Sequence, residues 1–303
     1  MTLDESLSYC SRLTASHYEN FSVVTWLTPR KLRPHFASIY AFCRWSDDLG
    51  DEIGDRDRSL KLLEWWRGEL ESMYSGRAYH PVMMALAETV REFAIPIDPF
   101  AALISAFEQD QIIIEYDTFA QLLDYCSRSA DPVGHLVLYL GRCFSAENAE
   151  LSNATCTGLQ LTNFWQDIAR DLDIPRIYLP REDRKRFKVT DDDLRSKRFT
   201  PEFAGLLAFE VDRARDFLLR GQPLVQRMPR QLAVDIELFT RGGLAILDQI
   251  VAKKYDVLSR RPKLSRLTKL GLLLKAAWQI HGPGQPHGLR SQARVETSCE
   301  EGA

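Results

Sequence analysis

The chain predicts an all-α fold in a single domain, and three observations carry that expectation. Helix-start signatures recur along its 303 residues, strand-like alternation is almost absent, and two acidic segments sit inside sequence that otherwise patterns as buried helix. Thr2 and Glu5 have capping-box spacing and open a helix over 3–17. Proline just after a capping residue marks the starts of helices 30–51 (Thr28-Pro29), 99–115 (Asp98-Pro99), 132–143 (Asp131-Pro132) and 201–227 (Thr200-Pro201). Periodicity places further helices over 57–75, 82–93, 117–129, 146–172, 230–258 and 264–280. The clearest loop is 173–190, with two prolines and a basic run; Thr190 and Asp193 at its end resemble another capping box. No composition shift divides the chain and no repeat of solenoid length is present. Residues 1–281 therefore read as one helical domain. The segment 282–303, polar and rich in Gly and Pro, reads as a disordered tail.

Composition narrows the function classes. An apolar fraction of 45% and a charged fraction of 27% belong to an ordinary globule, and a net charge of −3 gives no reason to expect a nucleic-acid partner. The six cysteines form no CxxC pair and mostly fall in apolar helical stretches, which argues for reduced core thiols, a cytoplasmic setting and neither a disulfide framework nor a zinc site. No basic-then-apolar leader pattern opens the chain, and no run is long and apolar enough to span a bilayer.

The chemistry is expected where the acids lie. Along 30–51, Phe36, Tyr40, Cys43, Asp47 and Asp51 follow one another in steps of four and three, so the carboxylates continue an apolar, aromatic stripe. Arg44 precedes Asp47 and Asp48 by one turn. Along 156–172, Cys156, Gln160, Asn163, Asp167 and Asp171 make a nearly all-polar ridge on a helix that is apolar elsewhere. A carboxylate buried alone costs several kcal/mol. Two such faces turned towards each other would form a cage of hard oxygen ligands suited to Mg2+ and a substrate's phosphates, with Asp47, Asp48, Asp51, Asn163, Asp167 and Asp171 as the candidate donors. A solvated helix end and a helix–helix hydrogen-bond seam are the structural alternatives. A di-iron bundle is excluded, because its Glu-x-x-His pairs are missing.

The strings IYAFCRWSDDLGDE, LQLTNFWQDIARD and PRIYLP, with YCSRSADPVG between them, resemble the two aspartate-rich regions of squalene and phytoene synthases over roughly residues 5–280. That resemblance implies the isoprenoid-synthase helical fold with a central cavity, Mg2+ held by Asp47, Asp51, Asn163 and Asp167 with Asp171 in the second acidic set, and catalysis resting on Asp47, Asp51, Asp167 and Asp171. It also implies that His17, Asn20, Tyr40, Arg44 and Gln160 contact the prenyl diphosphate. Three positions depart from the family pattern: Ser127 stands where a tyrosine associated with condensation is expected, Gln166 where an arginine precedes the second-motif Asp, and Gly243 where a further tyrosine is expected on the late helix. HYENF, YCSRSADPVG and NFWQD are similar to the hydroxysqualene synthase branch of bacterial hopanoid biosynthesis. There a sister enzyme makes presqualene diphosphate, and this branch ionises it and lets water capture the cation. NADPH is then not expected as a cofactor; ordinary squalene, dehydrosqualene or phytoene synthesis from farnesyl or geranylgeranyl diphosphate is the alternative. Phe21, Trp26, Phe36, Phe107 and Phe164 are candidates to line the cavity. The stripe in 264–280, Leu264, Leu267, Leu270, Leu274 and Trp278 with Arg266, Lys269 and Lys275, either closes the bundle or rests peripherally on the inner face of an anionic membrane. The run Arg181, Arg184, Lys185 and Arg186 reads as a solvated surface, with a flap over the diphosphate as the alternative.

Overall fold

The computed structural model describes residues 1–16, 29–174 and 176–265, together with 268, 271–273, 275, 276 and 280. His17, Asn20, Phe21, Trp26 and the segment 282–303 lie outside the described residues. The helices are α1 (Leu3–Ser16), α2 (Arg33–Asp51), α3 (Arg56–Tyr74), α4 (Pro81–Phe93), α5 (Asp98–Asp110), α6 (Phe119–Ser129), α7 (Asp131–Leu140), α8 (Ala146–Asp171), α9 (Arg181–Arg186), α10 (Asp191–Arg195), α11 (Pro201–Gly221), α12 (Leu224–Arg227) and α13 (Arg230–Ala252). Among the described residues the single β feature is a parallel bridge between Glu115 and Ile177.

Local chemistry sets the boundaries. Glu5 and Thr2 close the expected capping box at α1, and Thr190 and Asp193 do so at α10. Thr118 with Gln121 caps α6, Ser145 caps α8 and Thr200 caps α11, each side chain accepting from a first-turn backbone N–H. Helix α5 stops at Asp110 rather than at 115, because Ile112, Ile113 and Ile114 form a β-branched run with low helix preference. The chain turns there and lies beside the 176–182 segment: Ile177 N–H donates to the Ile114 carbonyl at 2.7 Å and Arg181 N–H to the Tyr116 carbonyl at 2.9 Å. The expected helix 201–227 is interrupted at Pro223, which separates α11 from α12.

Two apolar clusters form the core. One gathers buried side chains of α2 to α5, α7, α12 and α13; the other gathers those of α6, the later half of α8, α11 and the 177–194 segment. Ala276 and Ile280 are buried in the first cluster, so the described part of 264–280 packs on the bundle. Helix α8 packs on α11, α7, α13 and α6, and glycines set how close it comes. A Cβ at Gly158 would lie 2.8 Å from Leu218 N, and one at Gly221 would lie 2.7 Å from Thr155 N, so α8 and α11 cross nearly backbone to backbone. No helix among the described residues is long and apolar enough to cross a membrane.

Candidate active site

One cavity, about 460 Å3 in volume, joins the two acidic helices. From α2 it takes Phe36, Tyr40, Arg44, Asp47 and Asp51, and from α8 it takes Gln160, Asn163, Phe164 and Asp171. The sequence-predicted faces therefore meet, and of the aromatic candidates Phe36, Phe107 and Phe164 stand in the wall. The apolar part of the wall includes Leu103 of α5 and Val133, Leu136, Val137 and Leu140 of α7.

Asp48 and Asp167 do not belong to this wall. Asp48 pairs with Arg44, which also reaches Asp47 at 3.0 Å and Glu52 at 2.5 Å. Asp167 is gripped by Arg261 through both carboxylate oxygens, with Nη2 to Oδ2 at 2.9 Å. Asp51 is held at 2.8 Å by Arg176, which is itself a wall residue. Three arginines thus pair with these acids, and no group of three or more acid, His or Cys side chains among the described residues converges as a closed ligand set. The cage expected from sequence is an open arrangement of donors across a cavity.

The donors still suit hard divalent cations. Burial, then the Asp51 charge, pushes the Asp47 carboxyl up to about 6. Burial, then Asp167, pushes Asp171 up to about 7. Both faces thus carry acids whose ionised form wants a counter-charge. Carboxylate and amide oxygens are the ligands Mg2+ prefers.

Several wall residues escaped sequence reasoning. Asp110 accepts a hydrogen bond from Tyr125 Oη at 2.9 Å and is pushed up to about 6, chiefly by burial. Its signal was present: Leu103, Phe107 and Asp110 repeat the apolar-to-acid stripe of α2 in steps of four and three. Arg176 and Tyr178 enter from the 176–178 segment, where Tyr178 stacks on Phe164 with ring centroids 3.8 Å apart. Only tertiary structure could bring Arg261 to Asp167. Next to that pair, Gln166 Nε2 donates to the Pro262 carbonyl at 2.7 Å.

The departures fall in unexpected places. Ser127 is exposed, its hydroxyl donating back to the Asp124 carbonyl at 2.7 Å, and the α6 wall is made by Tyr125 and Ser129 instead. Gly243 faces the α8–α11 seam, where a Cβ would lie 3.0 Å from Leu159 and Leu218 side-chain carbons. The basic run is not all solvated: Arg184 is buried between Glu115 and Asp191, because an arginine fixed against two acids can leave water. The three histidines among the described residues have structural partners: His35 contacts Thr89, His80 caps α4, and His135 contacts Asn153.

Comparison with known proteins agrees with this geometry. The Squalene/phytoene synthase family matches residues 14–268. The crystal structure of squalene synthase HpnC from Alicyclobacillus acidocaldarius superposes with a TM-score of 0.80 at 47% identity, covering 84% of this chain and 95% of that one. Presqualene diphosphate synthase from Rhodopseudomonas palustris is 29% identical over 85% of this chain and 92% of its own length. For 15-cis-phytoene synthase from Synechocystis sp. the figures are 30%, 91% and 86%. With the match spanning most of its length, the chain belongs to the squalene/phytoene synthase family, whose enzymes act on isoprenyl diphosphates.

Proposed function

We propose that this protein is a Mg2+-dependent hydroxysqualene synthase, which ionises presqualene diphosphate and lets water capture the rearranged cation. The observation that carries this reading is the α6 wall. It offers Tyr125, already committed to Asp110, and Ser129, while Ser127 stands where the family's condensation tyrosine is expected and bonds back to its own helix. The 47% identity to squalene synthase HpnC, against 29–30% for the phytoene and presqualene diphosphate synthases, supports the same branch.

In this reading the polar end binds the diphosphate. Asp47 and Asp51 on one side, and Asn163, Asp167 and Asp171 on the other, would hold Mg2+, with Asp48 supporting Arg44. Bound Mg2+ supplies Lewis-acid charge for the departing diphosphate. Arg44 and Arg176 offer guanidinium donors beside it, and Tyr40 and Gln160 offer neutral ones. His17 and Asn20 complete the set implied by resemblance. The prenyl tails occupy the apolar end between α5 and α7. Ring faces of Phe36, Phe107, Phe164 and Tyr178 stabilise a cation while keeping bulk water out. A presqualene diphosphate synthase is the partner that would supply the substrate.

Purified protein with Mg2+ and presqualene diphosphate should form hydroxysqualene without NADPH, and farnesyl diphosphate alone should give little product. Efficient conversion of farnesyl or geranylgeranyl diphosphate alone would replace this reading with a condensing squalene, dehydrosqualene or phytoene synthase.

A further inference from the structure

We propose that Ser129 holds the water that captures the carbocation, an assignment that rests on the hydroxysqualene synthase reading. Among the described residues two buried, unpartnered side-chain polar atoms belong to cavity-wall residues, Arg44 Nε and Ser129 Oγ. Arg44 lies at the acidic end, beside Asp47 and Asp48. Ser129 lies elsewhere. It is the last residue of α6, one turn beyond Tyr125, and α7 follows after Ala130 alone with the apolar wall residues Val133, Leu136, Val137 and Leu140. Along the chain Ser129 thus links Tyr125, bonded to an acid, to the apolar wall residues of α7.

Buried hydroxyls are nearly always hydrogen-bonded, so an orphan on a cavity wall points to a ligand group. Two other hydroxyls of the wall are engaged: Thr14 Oγ1 donates to the Cys10 carbonyl at 2.9 Å, and Tyr125 Oη donates to Asp110. A serine hydroxyl can accept one O–H of a water and leave the water's lone pair aimed into the cavity. The step balances with what the reaction itself supplies. The C–O bond of the substrate breaks and diphosphate leaves with the electron pair; the rearranged cation takes a new C–O bond from the water. The water's surplus proton passes to the released diphosphate, which is the base available. A single fixed water also explains how a cavity can stay dry enough for rearrangement and still end in an alcohol.

The experiment compares wild type, Ser129→Ala and Ser129→Thr with presqualene diphosphate and Mg2+ in 18O-labelled water, following diphosphate release and product composition. The expected result is that Ser129→Ala releases diphosphate within about threefold of wild type while its labelled alcohol falls about tenfold in favour of alkenes or isomeric alcohols. Ser129→Thr, which keeps the hydroxyl, should restore the alcohol. An unchanged alcohol share in Ser129→Ala would overturn the assignment, as would equal losses of release and alcohol in both variants, which would mark a packing role. A wild type that makes hydrocarbon from farnesyl diphosphate and no alcohol from presqualene diphosphate would remove the underlying reading instead, and the assignment with it.

Discussion

Arg261 grips both carboxylate oxygens of Asp167 across 94 residues of sequence, and the residue beside that acid, Gln166, ties down the carbonyl of Pro262. The two contacts dock the segment after α13 onto the second acidic helix. They also relocate a charge. The resemblance expects an arginine at 166; here a neutral residue holds the backbone that delivers an arginine from elsewhere.

Arg261→Ala should therefore behave as a site variant. Charge-assisted hydrogen bonds contribute about 1.5–3 kcal/mol, and the partial exposure of Arg261 puts the loss at the lower end, about 1–2 kcal/mol. Turnover should fall at least tenfold, and Gln166→Arg placed in the Arg261→Ala background should recover part of it. Steady-state kinetics with matched thermal melts checks both.

Removing one acid from each facing helix should separate activity from stability. Asp47→Asn and Asp171→Asn should each lower kcat/KM by about 100-fold or more, on the scale of losing a preorganised charge in a dry site. Their melting temperatures should be unchanged or higher, because each substitution relieves a buried carboxylate crowded by another. Circular dichroism and melts decide between this and a structural role.

The pH dependence follows from the same acids. Asp47 and Asp110 are pushed up to about 6, and Asp171 to about 7, each chiefly by burial. A folded-state pKa above the unfolded value means that the native state binds more protons in between, so stability declines as pH rises from about 4 to about 7. Asp131 (about 7) and Glu210 (about 8) act in the same direction. The Asp47→Asn/Asp171→Asn double variant should consequently show a shallower decline than wild type, and not a flat profile, in melts recorded between pH 4 and 8.

Glycine spacing gives a test away from the site. Gly158→Ala and Gly221→Ala put a methyl against backbone across the α8–α11 crossing and should cost about 1–3 kcal/mol or more. Gly242→Ala, on α13 with nothing within 4 Å, should be neutral or stabilising by about 0.5–1 kcal/mol. Equal effects at all three positions in denaturant unfolding would refute the close crossing.

What the sequence made legible was periodic. The stripe from Phe36 to Asp51 and the ridge from Gln160 to Asp171 both reach the cavity because residues three and four apart share a helix face. What stayed hidden depended on distant partners. Asp48 and Asp167 look like equal members of their acidic motifs, yet they pair with Arg44 and Arg261 and do not line the cavity. Arg184 reads as surface until Glu115 and Asp191 enclose it. Ser127 looked like the informative departure on α6, but the helix turns Tyr125 and Ser129 inward, so the register of one face had to be seen.

Thermal melting with Mg2+ and inorganic diphosphate tests most directly whether α2 and α8 form one ion-binding diphosphate site. Saturation at 100 times the dissociation constant stabilises a protein by about 2.7 kcal/mol, so both ligands together should raise the melting temperature by about 5 °C. Either ligand alone should do much less, and the rise should vanish in both Asp47→Asn and Asp171→Asn. No shift in the wild type, or a shift that survives in both variants, would contradict the account.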